Sequence, residues 1–224
     1  MPQGQKLDVV GDTSTRFCVL WDEATDYMSF GQRLLERERS GNPVESMWIV
    51  FDQKYRNSYV FAGELFPRMS IPQSWYEAGI AHRSDDLTEL ASKIDVPRSQ
   101  FSASVTRFNE MSRAGYDAGF HRGSSAYDRY YGDPTIAPNP NLRALDKGPL
   151  YAVKMVLSDL GTCGGLRADD RARVLREDGS IIDGLYAIGN TATNAFGTTY
   201  PGAGATIAQG LVYGYVAARD AAGA

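Results

Sequence analysis

The chain has 224 residues, room for one domain or two small ones, and its 43% apolar content can build a substantial core. A net charge of −4 and a pI near 5.2 argue against a nucleic-acid partner. Cys18 and Cys163 are too few for a disulfide framework, His82 and His121 make no metal-ligand spacing, and no apolar run reaches the length of a membrane span.

In chain order, Met1–Thr15 is polar, carries Gly4 and Gly11, and reads as irregular. Gln32–Arg39 is rich in Leu, Glu and Arg and reads as a helix that Gly41 ends. Met47–Phe51 (MWIVF) suits a buried strand. Tyr55, Tyr59, Phe61, Phe66, Trp75 and Tyr76 follow in a proline-punctuated segment, as core or as the lining of an apolar pocket. Asp86–Glu89 resembles a capping box and starts a helix to about Lys93. Pro97 opens the next helix, Phe101, Val105 and Phe108 give its buried stripe, and Gly115 stops it. Phe120–Asp133 reads as a polar, tyrosine-rich loop in which His121-Arg122 is a solvated pair rather than a proton donor. Pro134–Pro140 is extended by its prolines.

Composition changes after Gly148. Leu150–Leu157 reads as a strand with Tyr151, Val153 and Met155 on one face. Gly161-Thr162-Cys163-Gly164-Gly165 is a flexible turn, and Asp178-Gly179 between Val174-Leu175 and Ile181-Ile182 signals a hairpin. Leu185–Ile188 suits another buried strand, broken by Gly189-Asn190. Tyr200-Pro201-Gly202-Ala203-Gly204 leads into an apolar helix over roughly Ala205–Ala218. Glycines let a ligand approach the backbone there, and the helix start offers free N–H groups and the positive dipole end to an electron-rich ligand edge. It is not a dinucleotide fingerprint: Ile207 takes the third glycine position and no strand runs into Gly202. A glycine-rich turn that packs a helix is the other reading of these residues.

The motifs DLGTCGGL, DGLYAIGN and TYPGAGATI, in this order and spacing, resemble the C-terminal part of the FAD-dependent 3-ketosteroid dehydrogenases, in the fumarate reductase/succinate dehydrogenase flavoprotein superfamily. The resemblance is dense from about Gly148, looser over Tyr27–Lys147 and poor before that. Arg16-Phe17 resembles the family's Arg-Phe, but Asp22-Glu23 stand where Asn-Glu belongs. The resemblance implies an α+β fold: a substrate (insert) domain over residues 1–148, then a strand–hairpin–strand–helix return of a split FAD-binding α/β domain over 149–224. The N-terminal Rossmann half, with its GxGxxG, is absent from the sequence. A fragment, a chain partnered by a second chain carrying GxGxxG, and the product of a broken gene all fit that pattern. With no signal-peptide pattern, the expected setting is cytoplasmic.

The implied reaction is 1,2-desaturation of a 3-ketosteroid, with FAD as hydride acceptor. By resemblance, Tyr200 and the N–H of Gly204 polarise the 3-keto oxygen, and Tyr27 is the base. A phenol four residues before a glycine amide at a helix start can converge with it on one oxygen, where a donor pair stabilises developing charge. Otherwise Tyr200 is a capping aromatic and Tyr27 an ordinary, partly buried tyrosine. Gly189, Asn190, Gly204, Ala205, Thr206 and Ile207 match flavin contacts. Thr162, Gly164 and Gly165 match a turn near the flavin, or are a plain turn before a hairpin. The substrate expected is a steroid or other apolar ketone, with no metal. Related possibilities are a 3-oxo-5α-steroid 4-dehydrogenase, a fumarate-reductase-like enzyme, and a non-catalytic remnant or scaffold that completes a flavin site on another chain.

Overall fold

Alternation of apolar residues that face two different layers determines the central sheet. In the computed structural model, residues 9–11, 18–20, 27–41, 46–158, 161–202 and 204–223 are described. The elements are β1 (Val9–Gly11), β2 (Cys18–Leu20), α1 (Tyr27–Arg39), β3 (Met47–Asp52), α2 (Gln53–Ser58), α3 (Gln73–Glu77), β4 (Ala81–Ser84), α4 (Leu87–Lys93), α5 (Arg98–Ala114) and α6 (Ala126–Tyr131). Then come β5 (Leu150–Met155), β6 (Arg173–Leu175), β7 (Ile181–Tyr186), a short 3₁₀ turn (Gly189–Thr191) and α7 (Ala205–Ala221). By internal contacts the chain divides into two units. One holds Met1–Asp26 and Phe30–Val156, the other Tyr27–Ser29 and Leu157–Ala224.

The first unit is built on an antiparallel sheet in the order β1-β2-β3-β5-β4. Successive strand residues point to opposite faces. Trp48 and Val50 of β3, with Leu150 and Ala152 of β5, meet Leu90, Ile94, Phe101, Val105 and Phe108 of α4, its C-cap and α5. Phe51, Tyr151 and Val153 meet Tyr55, Phe61, Leu65 and Ile71 on the other side. Phe101 is fully buried, which alone stabilises the fold by roughly 1.5–3 kcal/mol. Asp86 caps α4 by accepting from the Glu89 N–H at 2.8 Å. The Glu89 carboxylate turns instead to Ser84 Oγ and Lys93, so the box is half closed. Gly115 ends α5 in the left-handed conformation.

Several expectations change. The irregular N-terminal stretch contains β1, while Arg16-Phe17 and Asp22-Glu23 lie outside the described residues. Phe120–Asp133 is not all loop: Ser125 and Asp128 form a reciprocal capping box at the start of α6. Arg122 is not solvated but 2% exposed, ion-paired with the buried Asp117 and placed over the Phe108 and Phe120 rings. β5 joins the first unit's sheet.

In the second unit β6 and β7 pair as the hairpin around Asp178-Gly179, and Gly179 takes φ 84°. The separate buried strand expected at Leu185–Ile188 merges into the end of β7. Only Ala187 of the four is buried; Leu185 and Ile188 are exposed, although α7 comes against Ile188 at Gly214. Val174, Ala187 and Ala192 form the small core, with Ile182 against it. Along α7 the apolar residues Ile207, Leu211, Val212 and Tyr215 are 59–70% exposed. Among the described residues no helix is long and apolar enough to cross a membrane.

Candidate functional site

The second unit brings three separated segments together. The 161–166 turn runs beside the loop that follows Ile188. Leu166 N–H donates to Thr191 O at 2.9 Å, Thr193 N–H returns to Leu166 O at 2.9 Å, and Asn194 N–H donates to Cys163 O at 3.2 Å. Within the turn, Thr162 Oγ1 accepts from the Gly164 N–H at 3.0 Å. The reason for Gly165 is steric: a Cβ there would lie 2.5 Å from Thr191 O. A Cβ at Gly161 would lie 2.9 Å from the Asn190 side-chain nitrogen, so the two turns touch at that point as well.

The third segment is the start of α7. Gly189, at φ 55°, lies against Gly210, and the close approach of these two glycines seats the helix on the loop. Gly204, at φ 91°, is the N-cap and no side chain caps the helix. The Ala205 N–H bonds to Gly202 O at 3.2 Å, whereas Thr206 and Ile207 sit exposed in the first turn, whose amides have no intrahelical acceptor. Space is open around the position a Cβ would take at Gly204. Tyr200 is half-buried, and its hydroxyl has no partner among the described residues. Tyr27 opens α1, and its side chain lies outside those described.

Sequence reasoning did not find Gln209. It is the one buried residue of α7 among those described, and its amide bonds to the backbone of the 189–195 loop. Glutamine on a helix is normally a surface residue, so composition carries no signal for it. At the far end of α7, Asp220 pairs with Arg171 at 3.3 Å and accepts from the Tyr186 hydroxyl at 3.0 Å. That hydrogen bond holds the phenol proton and raises the Tyr186 pKa. Both contacts fasten the helix to the hairpin.

The first unit holds a separate feature, a pocket of about 420 Å³ lined by Tyr55, Phe61, Trp75, Ile49, Val153 and others. Its size lies within the range of small-molecule sites. Lys154 is the one charged residue in the lining. Three of the aromatic residues read from the sequence as core or pocket lining are in this wall. His82, outside it, has its pKa lowered by burial and by Lys93. Among the described residues no group of three His, Cys, Asp or Glu side chains is placed to hold a metal ion.

The second unit offers an electron-rich ligand an uncapped helix start with open space at Gly204, while the Gly189-Asn190 turn meets α7 further along, at Gln209 and Gly210. Comparison with known proteins gives the family. Residues 4–207 match the family described as FAD binding domain. A 3-oxosteroid 1-dehydrogenase of Mycolicibacterium smegmatis is 54% identical over 175 residues, covering 78% of this chain and 31% of that protein. A 4-oxocyclohex-2-ene-1-carboxylate 5-dehydrogenase of Sinomonas cyclohexanicum is 39% identical over 201 residues, 90% of this chain and 34% of that protein. Among solved structures, the 3-ketosteroid delta1-dehydrogenase of Sterolibacterium denitrificans in complex with 1,4-androstadiene-3,17-dione superposes with a TM-score of 0.79 at 38% identity, over 88% of this chain and 36% of that one. The chain thus spans about a third of the length of these relatives.

Proposed function

The chain belongs to the FAD binding domain family, and we propose on that footing that it carries the ring-facing part of a 3-ketosteroid 1-dehydrogenase. In this reading residues 1–148, with β5 added to their sheet, are the substrate insert, and the rest of 149–224 is the return of a split flavin domain. Residues outside this chain complete the ADP side of the site. The observation that carries the reading is the convergence of the 161–166 turn, the Gly189-Asn190 turn and the uncapped start of α7 within one unit.

FAD, when bound, supplies the acceptor for a hydride. The chain's own residues do the rest. Backbone groups of Gly204, Ala205, Thr206 and Ile207 would hold an electron-rich edge of the flavin, since the helix dipole favours negative charge there. Gly189 and Asn190, with Thr162, Gly164 and Gly165, would be the further flavin contacts. The Tyr200 hydroxyl and the Gly204 N–H donate to the 3-keto oxygen, which gains negative charge as the proton alpha to it leaves. Tyr27 takes that proton. An unperturbed tyrosine titrates near 10, so its work as a base needs a neighbouring donor. The apolar lining of the first unit's pocket favours an apolar substrate. We place the protein in the cytoplasm, with 3-oxo-5α-steroid 4-dehydrogenation and fumarate-reductase-like chemistry as the neighbouring activities.

The scaffold and remnant readings differ from the enzyme in what the chain binds and turns over. An absorbance scan of the purified chain separates the readings. The paired flavin bands, together with 1-dehydrogenation of a 3-ketosteroid, support the enzyme. Bands that arise only with a co-expressed GxGxxG-bearing chain support the two-chain site. A colourless chain that stays inactive with FAD and with such a partner overturns the enzyme in favour of the remnant.

A further inference from the structure

Helix α7 inverts the usual amphipathic pattern: its apolar side chains Ile207, Leu211 and Tyr215 are exposed, and among its described residues only Gln209 is buried. A buried amide must be satisfied or it costs stability. This one is satisfied by a single stretch of backbone. Gln209 Oε1 accepts from the Ala195 N–H at 3.3 Å, and Nε2 donates to Gly189 O at 3.3 Å and Thr193 O at 3.5 Å. One acceptor and two donors on one group match one N–H and two carbonyls. A carboxylate has no donor to offer, and an aliphatic side chain has neither. The close approach of Gly189 and Gly210 lets the amide reach across.

We infer that Gln209 is a positioning residue that locks the Gly189-Asn190 turn to the start of α7, and so sets the gap in which the flavin ring sits. It stands five residues, about 7.5 Å of helix rise, beyond Gly204 and does not itself touch the ring. The inference rests on the flavin reading of the two segments.

The test uses the full chain and lumiflavin, the ring without its ADP tail, followed by fluorescence quenching. Exchange of the Ala195 amide is followed in parallel. Gln209→Met and the nearly isosteric Gln209→Glu weaken lumiflavin binding about tenfold and expose the Ala195 amide to exchange. Tyr186→Phe, which releases Asp220 at the far end of α7, lowers thermal stability but leaves lumiflavin binding within about twofold. If Tyr186→Phe weakens binding as much as the Gln209 variants, or if the Gln209 variants bind and exchange like wild type, Gln209 is ordinary packing and the inference is overturned. If the wild-type chain does not quench lumiflavin at all, the flavin assignment of both segments falls, and the inference with it. Quenching by wild type with no loss in the Gln209 variants removes the inference alone.

Discussion

Tyr200 and Gly165 show two different reasons for a residue to be where it is. The Tyr200 hydroxyl bonds to nothing among the described residues, so removing it disturbs no contact of the loop. If the proposed function holds, Tyr200→Phe in the FAD-loaded protein should keep the flavin spectrum and lose 1-dehydrogenation by about 10²–10³-fold, the usual loss for one oxyanion donor. Turnover near wild type, measured with a 3-ketosteroid and an artificial electron acceptor, would remove Tyr200 from the chemistry. Gly165, by contrast, is required by the backbone of Thr191, 26 residues away in sequence. The sequence marks Gly165 as a turn residue, but it cannot reveal which strand of chain crowds it. Gln209 left no trace for the same reason, since its partners are main-chain atoms and carry no residue type.

At the scale of elements, local period and capping were legible, and burial of charge was not. Met47–Phe51, the Phe101/Val105/Phe108 stripe, the Asp86 cap and the Asp178-Gly179 turn each follow from spacing within a few residues. The segment after α5 does not. A charged loop reads as solvated, yet here Asp117 and Arg122 are buried together, and Asp117 also accepts from the Gly119 and Phe120 N–H groups. Burial pushes the Asp117 carboxyl up, but Arg122 and these donors outweigh it, leaving the pKa below the usual carboxylate range. A carboxyl depressed by folding contributes stability above its unfolded pKa of about 3.9, and that contribution is lost as the pH falls towards the folded value. Asp117→Asn leaves Arg122 buried without its counter-ion and should cost about 3–5 kcal/mol at neutral pH. The variant should also lose less on acidification below pH ~4, as measured by urea unfolding across pH.

For the whole molecule, the two units have unequal means of stability. The first has two layers of core around five strands; the second, among described residues, has four buried apolar side chains, Ala172, Val174, Ala187 and Ala192, with the partly buried Ile182 against them. Two-state unfolding is not expected of such a chain. In a urea titration, amides of α7 should exchange before the fluorescence of Trp48 and Trp75, both in the first unit, changes. Coincident midpoints would instead make the chain one cooperative body. Only part of the element order was legible, since β1, β2, α2, α3, β4 and α6 were not read from the sequence. The β1-β2-β3-β5-β4 arrangement was not legible either, because pairing β5 between β3 and β4 depends on contacts 66 to 108 residues apart.

The outward-facing Ile207, Leu211, Val212 and Tyr215 have a practical consequence. Sulfate ions, excluded from protein surface, raise the cost of wetting such a stripe. The purified chain should precipitate early in an ammonium sulfate series, and Leu211→Lys should move that cloud point to higher salt. An unchanged cloud point would mean that the stripe is already sheltered in solution.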